Sequence, residues 1–385
     1  MKKIKNIKKE KTQILEGSRA IALTINNINP DVISAYPITP QTHIVEDLAK
    51  IKANGEGQYE YVRAESEFAA ASIILGASAS GSRTYSATSS QGLLLMTEVI
   101  YNISGMRLPI VMTLANRAIS APINIWNDQQ DAMAIKDAGW IMFFAENNQE
   151  SVEQHILAYK IAEKIKIPVM VNIDGFILTH CYEEVKIYDK KIINKFLPKY
   201  KAKAGEFLDP KNPITMGAFM NPQYYQKSRE DLYNDFQKSI KEIDKEYFLM
   251  HKILGNKIEK NNNSWFEYYG PKNAKTIIVA MGSTIGTIKS LAKKEKDVAV
   301  LKIKTYRPFP HQEIKKILKN CQNIAVVEKA VSFGTFGSLY LDINICKDKQ
   351  TIKNFIGGLG GKDIGEQDIK KIIKDFKKYK ELNFI

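Results

Sequence analysis

The stretch RAESEFAAASIILGASASGSRTYSATSSQG, Arg63 to Gly92, contains in miniature the pattern that decides the fold. It runs from a strand end into an apolar helix over Glu67 to Ser80, then a strand over Arg83 to Thr88, and closes on a cluster of small polar residues. The helix has no polar face, and such a helix is expected to be buried on every side. Glu67, which opens it, is then expected to be buried as well.

Working outward, the same alternation extends from residue 15 to about 180. Strand-like runs at Val32 to Ile38, Tyr59 to Ala64, Arg83 to Thr88, Pro109 to Ala115, Trp140 to Ala145 and Pro168 to Ile173 alternate with helix-length segments at Gly17 to Ile28, Thr42 to Ala53, Glu67 to Ser80, Gln91 to Ser104 and Glu150 to Ile165. Continuous apolar strands separated by helices predict an α/β fold, a parallel sheet covered on both faces. In such a sheet the ligand lies at the carboxyl ends of the strands, so the strand-to-helix loops are where chemistry is sought. Residues 181–270 are richer in Lys, Tyr, Asp and Pro and read as a connecting segment, helical over Arg229 to Lys257. Residues 271–385 read as a second, smaller α/β domain, built from TIIVAMGST, DVAVLKIKTYRPFP and NIAVVEK.

Three loops stand out. Tyr36-Pro37-Ile38-Thr39-Pro40-Gln41-Thr42 holds Thr39 between two prolines, either as a fixed hydroxyl or as a helix N-cap with Pro40 at the first helical position. Ala87-Thr88-Ser89-Ser90-Gln91-Gly92 could bind an anion or a polar ring, or simply cap its helix. Arg117 emerges from the strand LPIVMTLAN, placed either to clamp a carboxylate through two parallel hydrogen bonds or to pair with Asp128 or Asp131.

Composition narrows the function classes. The formal net charge is +14, but the lysines are spread along the whole chain and the start, MKKIKNIKKEK, reads as a solvated tail, so no nucleic-acid partner is expected. No apolar run approaches the roughly 18 residues of a membrane span, and the basic start MKKIKNIKKEKTQILEG lacks an apolar signal-peptide centre, so the chain reads as cytoplasmic. Cys181, Cys321 and Cys346 are too scattered for a zinc or iron-sulfur site, and the five histidines form no HxH or HExxH spacing. GGLGGKDIG, Gly357 to Gly365, has the wrong spacing for a phosphate loop and reads as a glycine-rich connection. No GxSxG nucleophile elbow is present.

Taken together, AYPITPQT, ESEFAAASIILGASASGSRTYSATSSQGLLLM, LPIVMTLANRAISAPINIWNDQQDAM, GWIMFFAENNQES and PVMVNIDGFILTH resemble the alpha subunit of multi-subunit pyruvate:ferredoxin oxidoreductases. The similarity resumes at IIVAMGSTIGT, LKIKTYRPFP and GGLGGKDI. It implies that residues 1–180 form the pyrimidine-binding domain of a thiamine diphosphate fold and residues 271–385 a domain like the carboxy-terminal domain of transketolase. It further implies oxidative decarboxylation of pyruvate to acetyl-CoA and CO2, with coenzyme A as co-substrate and ferredoxin as electron acceptor. By this resemblance Glu67 hydrogen-bonds N1′ of the cofactor's aminopyrimidine, Pro37, Ser89 and Gln91 contribute to the cofactor site, and Thr39 and Arg117 hold the substrate carboxylate. The chain has no GDG motif to hold the diphosphate through Mg2+. The cofactor is therefore expected to be shared with a beta subunit, with Mg2+ and the 4Fe-4S clusters on partner chains (beta, gamma and delta) and no metal here. A branched 2-oxo acid such as 2-oxoisovalerate is the alternative substrate, and a non-catalytic assembly subunit the alternative role.

Overall fold

The structure is a computed structural model describing residues 12–385; the basic tail expected at the start, MKKIKNIKKEK, lies outside the described residues. The first half contains β1 (Thr12–Glu16), β2 (Val32–Ala35), β3 (Glu60–Arg63), β4 (Thr84–Thr88), β5 (Val111–Asn116), β6 (Ile141–Phe144), β7 (Val169–Asp174) and β8 (Tyr182–Lys186). The second half contains β9 (Phe266–Tyr269), β10 (Thr276–Ala280), β11 (Val298–Ile303), β12 (Thr305–Arg307), β13 (Asn323–Glu328), β14 (Thr351–Ile356) and β15 (Leu382–Phe384). Among the described residues no helix is long and apolar enough to cross a membrane.

The fold is α/β. A seven-stranded sheet runs in the order β12-β6-β7-β5-β4-β2-β3, parallel throughout except for β12. Its central strands β4, β5 and β7 are buried along their whole length, which is why they read as continuous runs and not as alternating ones. The chain leaves β2 for the edge strand β3 and returns to β4 on the other side of β2. The crevice opened by that reversal faces the loops after β2 and β4. A six-stranded sheet, β15-β14-β13-β10-β11-β9, is parallel except for β9.

Several elements differ from the sequence expectation. The helix Glu67–Ala79 is capped by Ser66, whose Oγ accepts from Ala69 N at 3.1 Å, and it buries Glu67, Ala70, Ala71, Ile74, Ser78 and Ala79. It is not buried on every side: Phe68 is 41% exposed, and Ile73 and Leu75 are only half-buried. The segment expected as one helix over Gln91 to Ser104 is two, Ser90–Leu95 and Thr97–Gly105, meeting at Met96. The helix placed at Arg229 to Lys257 spans Pro222–Leu254; Asn221 caps it, Pro222 occupies the first turn and Gly255 ends it in the left-handed conformation. Within 181–270, β8 pairs with β1, and β9 joins the second sheet.

The two sheets share one interior. Strand β12, which follows β11 of the second sheet, crosses over to pair antiparallel with β6 of the first. Around it Phe144 and Tyr306 meet edge-to-face at 6.0 Å, within an apolar cluster that also contains Trp140, Phe309, Val279 and Leu301.

Candidate active site

Every loop singled out in the sequence lies at the carboxyl edge of the first sheet. The loop after β2 is closed by Gln41, whose N–H donates to Ile38 O at 2.9 Å and whose Nε2 donates to Tyr36 O at 2.8 Å. The following helix begins at Thr42 with Gln41 at its N-cap, so Thr39 is not a cap; its side chain stands exposed on the loop, as does Pro37. Pro40 is buried against Gly175, where a Cβ would come within 2.5 Å of the Pro40 ring.

Arg117 follows β5 directly and reaches across to this loop. Its Nη1 donates to Thr39 O at 3.0 Å and its Nε to Asn124 O at 3.0 Å. The guanidinium forms no ion pair with Asp128 or Asp131 among the described residues. Asp131 is fully buried and accepts instead from Arg117 N (3.0 Å), Ser90 N (3.0 Å), Asn116 Nδ2 (3.0 Å) and Ala132 N (2.7 Å). Burial pushes its carboxyl up to about 7 against the pull of these donors. Asp131 thus binds the loop after β4 to the loop after β5, and the guanidinium, held by two carbonyls, keeps N–H groups free to meet an anion.

Glu67, in the first turn of its helix, is 9% exposed and its carboxylate has no hydrogen-bond partner among the described residues. Facing it is Gly92, where a Cβ would lie 2.7 Å from Glu67 Cγ, 2.9 Å from Oε1 and 2.5 Å from Thr88 Oγ1. The hydroxyls of Thr88 and Ser89 are buried and unpartnered. Ser89 occupies the N-cap position of Ser90–Leu95 without making a side-chain cap bond. Ser90 has a left-handed φ of 44°, and its hydroxyl lies 2.5 Å from Ala118 O and 2.6 Å from Gln91 Oε1. A buried acceptor without a donor, two free hydroxyls and a face kept flat by glycine suit a planar ligand that brings its own N–H groups.

The structure brings Thr39 and Arg117 into direct contact, groups Glu67 with the 88–92 loop, and links Arg117 to Ser90 through Asp131. Behind them stand Asn127, Gln129 and Asp174, which sequence reasoning passed over, together with Asp128 and the glycine-rich connection, to which it assigned other roles. Asn127 Nδ2 and Gln129 Nε2 donate to Asp174 at the end of β7, at 3.2 and 3.0 Å. The glycine-rich connection of the second domain seats this segment: Gly360 N donates to Asp128 Oδ2 (3.2 Å), Asn124 Nδ2 donates to Gly360 O (3.1 Å), and Gly361 N donates to Asn127 O (2.7 Å). At Gly361, with φ of 84°, a Cβ would sit 2.4 Å from that of Trp126. The sequence signals for this network were the run NDQQD and the glycine-rich stretch GGLGGKDIG, neither of which indicates that the two meet.

Residues 24–248 match the family model described as pyruvate flavodoxin/ferredoxin oxidoreductase, thiamine-diphosphate-binding, and residues 274–369 match pyruvate:ferredoxin oxidoreductase core domain II. The pyruvate synthase subunit PorA of Methanocaldococcus jannaschii is 46% identical over 377 residues, covering 95% of each chain. That of Methanosarcina barkeri is 43% identical over 383 residues, covering 96% of this chain and 94% of the relative. The ketoisovalerate oxidoreductase subunit VorA of Pyrococcus abyssi is 36% identical over 377 residues, covering 95% and 93%. Among solved structures, a 2-oxoglutarate:ferredoxin oxidoreductase from Magnetococcus marinus with 2-oxoglutarate, coenzyme A and succinyl-CoA bound superposes with a TM-score of 0.71 at 20% identity. That match covers 94% of this chain and 65% of the solved one, and at this identity it shows the fold alone.

Proposed function

Because the chain belongs to the pyruvate:ferredoxin oxidoreductase family, we propose that it is the alpha subunit of a cytoplasmic, multi-subunit enzyme that oxidatively decarboxylates pyruvate to acetyl-CoA and CO2 and passes the electrons to ferredoxin. The observation that carries the cofactor reading is the buried, unpartnered Glu67 carboxylate facing Gly92. That cradle, with the free hydroxyls of Thr88 and Ser89, fits the aminopyrimidine half of thiamine diphosphate. When bound, the cofactor supplies the nucleophilic carbon and the electron sink that decarboxylation needs.

This chain's residues hold and orient. Glu67, nearly buried in the first turn of its helix, would share a proton with a ring nitrogen of the bound cofactor. Pro37, Ser89 and Gln91 shape the surrounding wall. Arg117, fixed by the carbonyls of Thr39 and Asn124, presents its remaining N–H groups to the substrate carboxylate, beside the Thr39 hydroxyl. With no GDG motif in this chain, we assign the diphosphate and its Mg2+ to a beta subunit and the 4Fe-4S clusters to partner chains, with gamma and delta subunits completing the assembly.

Pyruvate is favoured over 2-oxoisovalerate because the two PorA relatives above are 46% and 43% identical and the VorA relative 36%. The test is to assemble the chain with its partner subunits and measure coenzyme A-dependent ferredoxin reduction with a series of 2-oxo acids. A higher kcat/KM for pyruvate than for branched acids is expected. A preference for 2-oxoisovalerate would move the chain to the branched-chain class, and no turnover of any 2-oxo acid by the assembly would leave it an assembly subunit.

A further inference from the structure

Three potential metal ligands meet beside, but outside, the candidate active site. Glu16 ends β1, His43 lies in the first turn of the helix Thr42–Ala53, just after the Thr39 loop, and His180 follows the turn after β7. One ligand atom from each lies within 4.8 Å of the other two. We propose that Glu16, His43 and His180 form a binding site for a divalent first-row transition metal, zinc foremost, clipping these three segments together.

The geometry needs little change to accept the ion. Zn2+ bound at about 2.0–2.2 Å to each ligand holds their atoms about 3.4 Å apart. Glu16 Oε1 and His43 Nδ1 stand 2.6 Å apart and would part slightly, while the two imidazoles, with ring centroids 4.6 Å apart, would turn inward. His43 and Glu16 keep side-chain exposures of 48% and 18%, which leaves room for that motion.

A second observation comes from behind the ligands. His180 Nδ1 lies 2.7 Å from Thr179 Oγ1, which also accepts Phe176 N–H at 2.8 Å. Thr179 Oγ1 can accept from Nδ1–H as well, directing the other ring nitrogen's lone pair outward, the arrangement that orients metal-bound histidines. The Phe176 ring packs on the same imidazole at 4.7 Å, and Phe176 itself is held at a φ of 60°, a conformation that bulky residues adopt only where the surroundings enforce it. Two imidazoles and one carboxylate match zinc and its first-row neighbours and are a poor set for calcium or magnesium, which take oxygen ligands. The ligands are separated by tens to over a hundred residues in sequence, so no local spacing reveals them.

The test is to titrate the untagged, full-length chain with Zn2+ in competition with a chromophoric chelator, and to record the visible spectrum with Co2+. Saturable binding of one ion per chain is expected, together with a Co2+ d–d spectrum showing fewer than six ligands. His180→Ala and Glu16→Gln should each weaken binding by at least about tenfold, and Thr179→Val, which removes the hydroxyl that orients His180 and also accepts Phe176 N–H, by about 10–100-fold. His311→Ala, remote from the cluster, should leave the affinity unchanged. The proposal is overturned if the wild-type chain shows no saturable zinc binding, or if folded His43→Ala and His180→Ala bind as the wild type does. The Co2+ spectrum of the wild type decides the matter even where a variant does not fold, since a six-coordinate aquo-like spectrum at saturation would exclude the ligand set.

Discussion

Asp174, the last residue of β7, and Lys329, which follows β13, form a buried ion pair of 2.8 Å that joins the two sheets. Lys329 also donates to Asn127 Oδ1 (2.9 Å) and Ser283 Oγ (3.2 Å), and Asp174 accepts from Ser283 N (2.9 Å) and Oγ (2.5 Å). Burial pushes the Asp174 carboxyl up, but the Lys329 charge and these hydrogen bonds outweigh it and hold the group below its ordinary range. Because Asn127 lies in the loop that Arg117 braces, the pair also anchors one wall of the candidate site.

Breaking that pair should be costly. Lys329→Met leaves Asp174 buried without its cation and is expected to lower stability by about 3–5 kcal/mol, whereas adding Asp174→Asn should recover part of the loss. Denaturant unfolding of the two variants checks this, and equal stability of the double and single variants would contradict it.

Glu67→Gln removes the ionisable group while keeping the shape. Turnover by the assembled enzyme should fall by about 10²–10⁴-fold, with the melting temperature and subunit assembly unchanged. Near-normal turnover would end the proton-sharing role.

Gly92→Ala tests the cradle from the opposite side. The new methyl group would meet Glu67 Oε1 at 2.9 Å and Thr88 Oγ1 at 2.5 Å, so the carboxylate must shift or the ring be excluded. Cofactor affinity of the assembled complex should drop by about tenfold or more, corresponding to the loss of one or two well-placed hydrogen bonds. An unchanged affinity would show that the ring binds elsewhere.

Arg117→Lys retains the charge and loses the fork. A lysine cannot donate to Thr39 O and Asn124 O and still offer two parallel hydrogen bonds to a carboxylate. The KM for pyruvate should rise about tenfold, with kcat lowered as well if alignment suffers. The ion-pair alternative predicted reduced stability with unaltered kinetics, and that result would remove Arg117 from the substrate site.

His155 contributes to the loss of stability in acid. It is fully buried, 2.6 Å from Thr113 Oγ1 and 2.7 Å from Ser151 O, and burial lowers it from 6.5 to about 4. The unfolded chain then binds the extra proton first, so stability is retained above pH 6.5 and declines as pH falls toward 4, by about 3 kcal/mol in all. His251, likewise lowered to about 4 by burial and the Lys304 charge, adds a contribution of the same sign, so His155→Gln should reduce the steepness of the pH dependence measured by equilibrium unfolding between pH 7 and 4 by one proton without abolishing it.

Much of the fold could be read from the sequence because its signals are local. The helices Gly17–Ile28 and Thr42–Ala53 occur where periodicity places them, and the apolar runs at β5 and β7 are strands buried throughout. The helix Glu67–Ala79 shows where that reading stops: composition reports that a residue is apolar, not whether this chain supplies its neighbour, and Phe68 is left exposed.

The sequence by itself determined the parallel α/β plan, the strand-to-helix loops that carry Thr39, Glu67, Ser89 and Arg117, and a family likeness long enough to be specific. Tertiary structure alone decided which partners those residues meet. Nothing near Arg117 marks Thr39, 78 residues away, as the carbonyl that holds it, and one lysine among many cannot be recognised as the partner of Asp174, 155 residues earlier. The antiparallel pairing of β12 with β6, and the burial of Lys302 within 2.6 Å of Glu146 and 2.9 Å of Glu150, are of the same kind. The physical reason is that propensity and periodicity act over a few turns of chain. Ion pairs, orphaned acceptors and shared cores depend on how whole elements pack, and the entropy of closing such long loops is recovered only once the complete interior has formed.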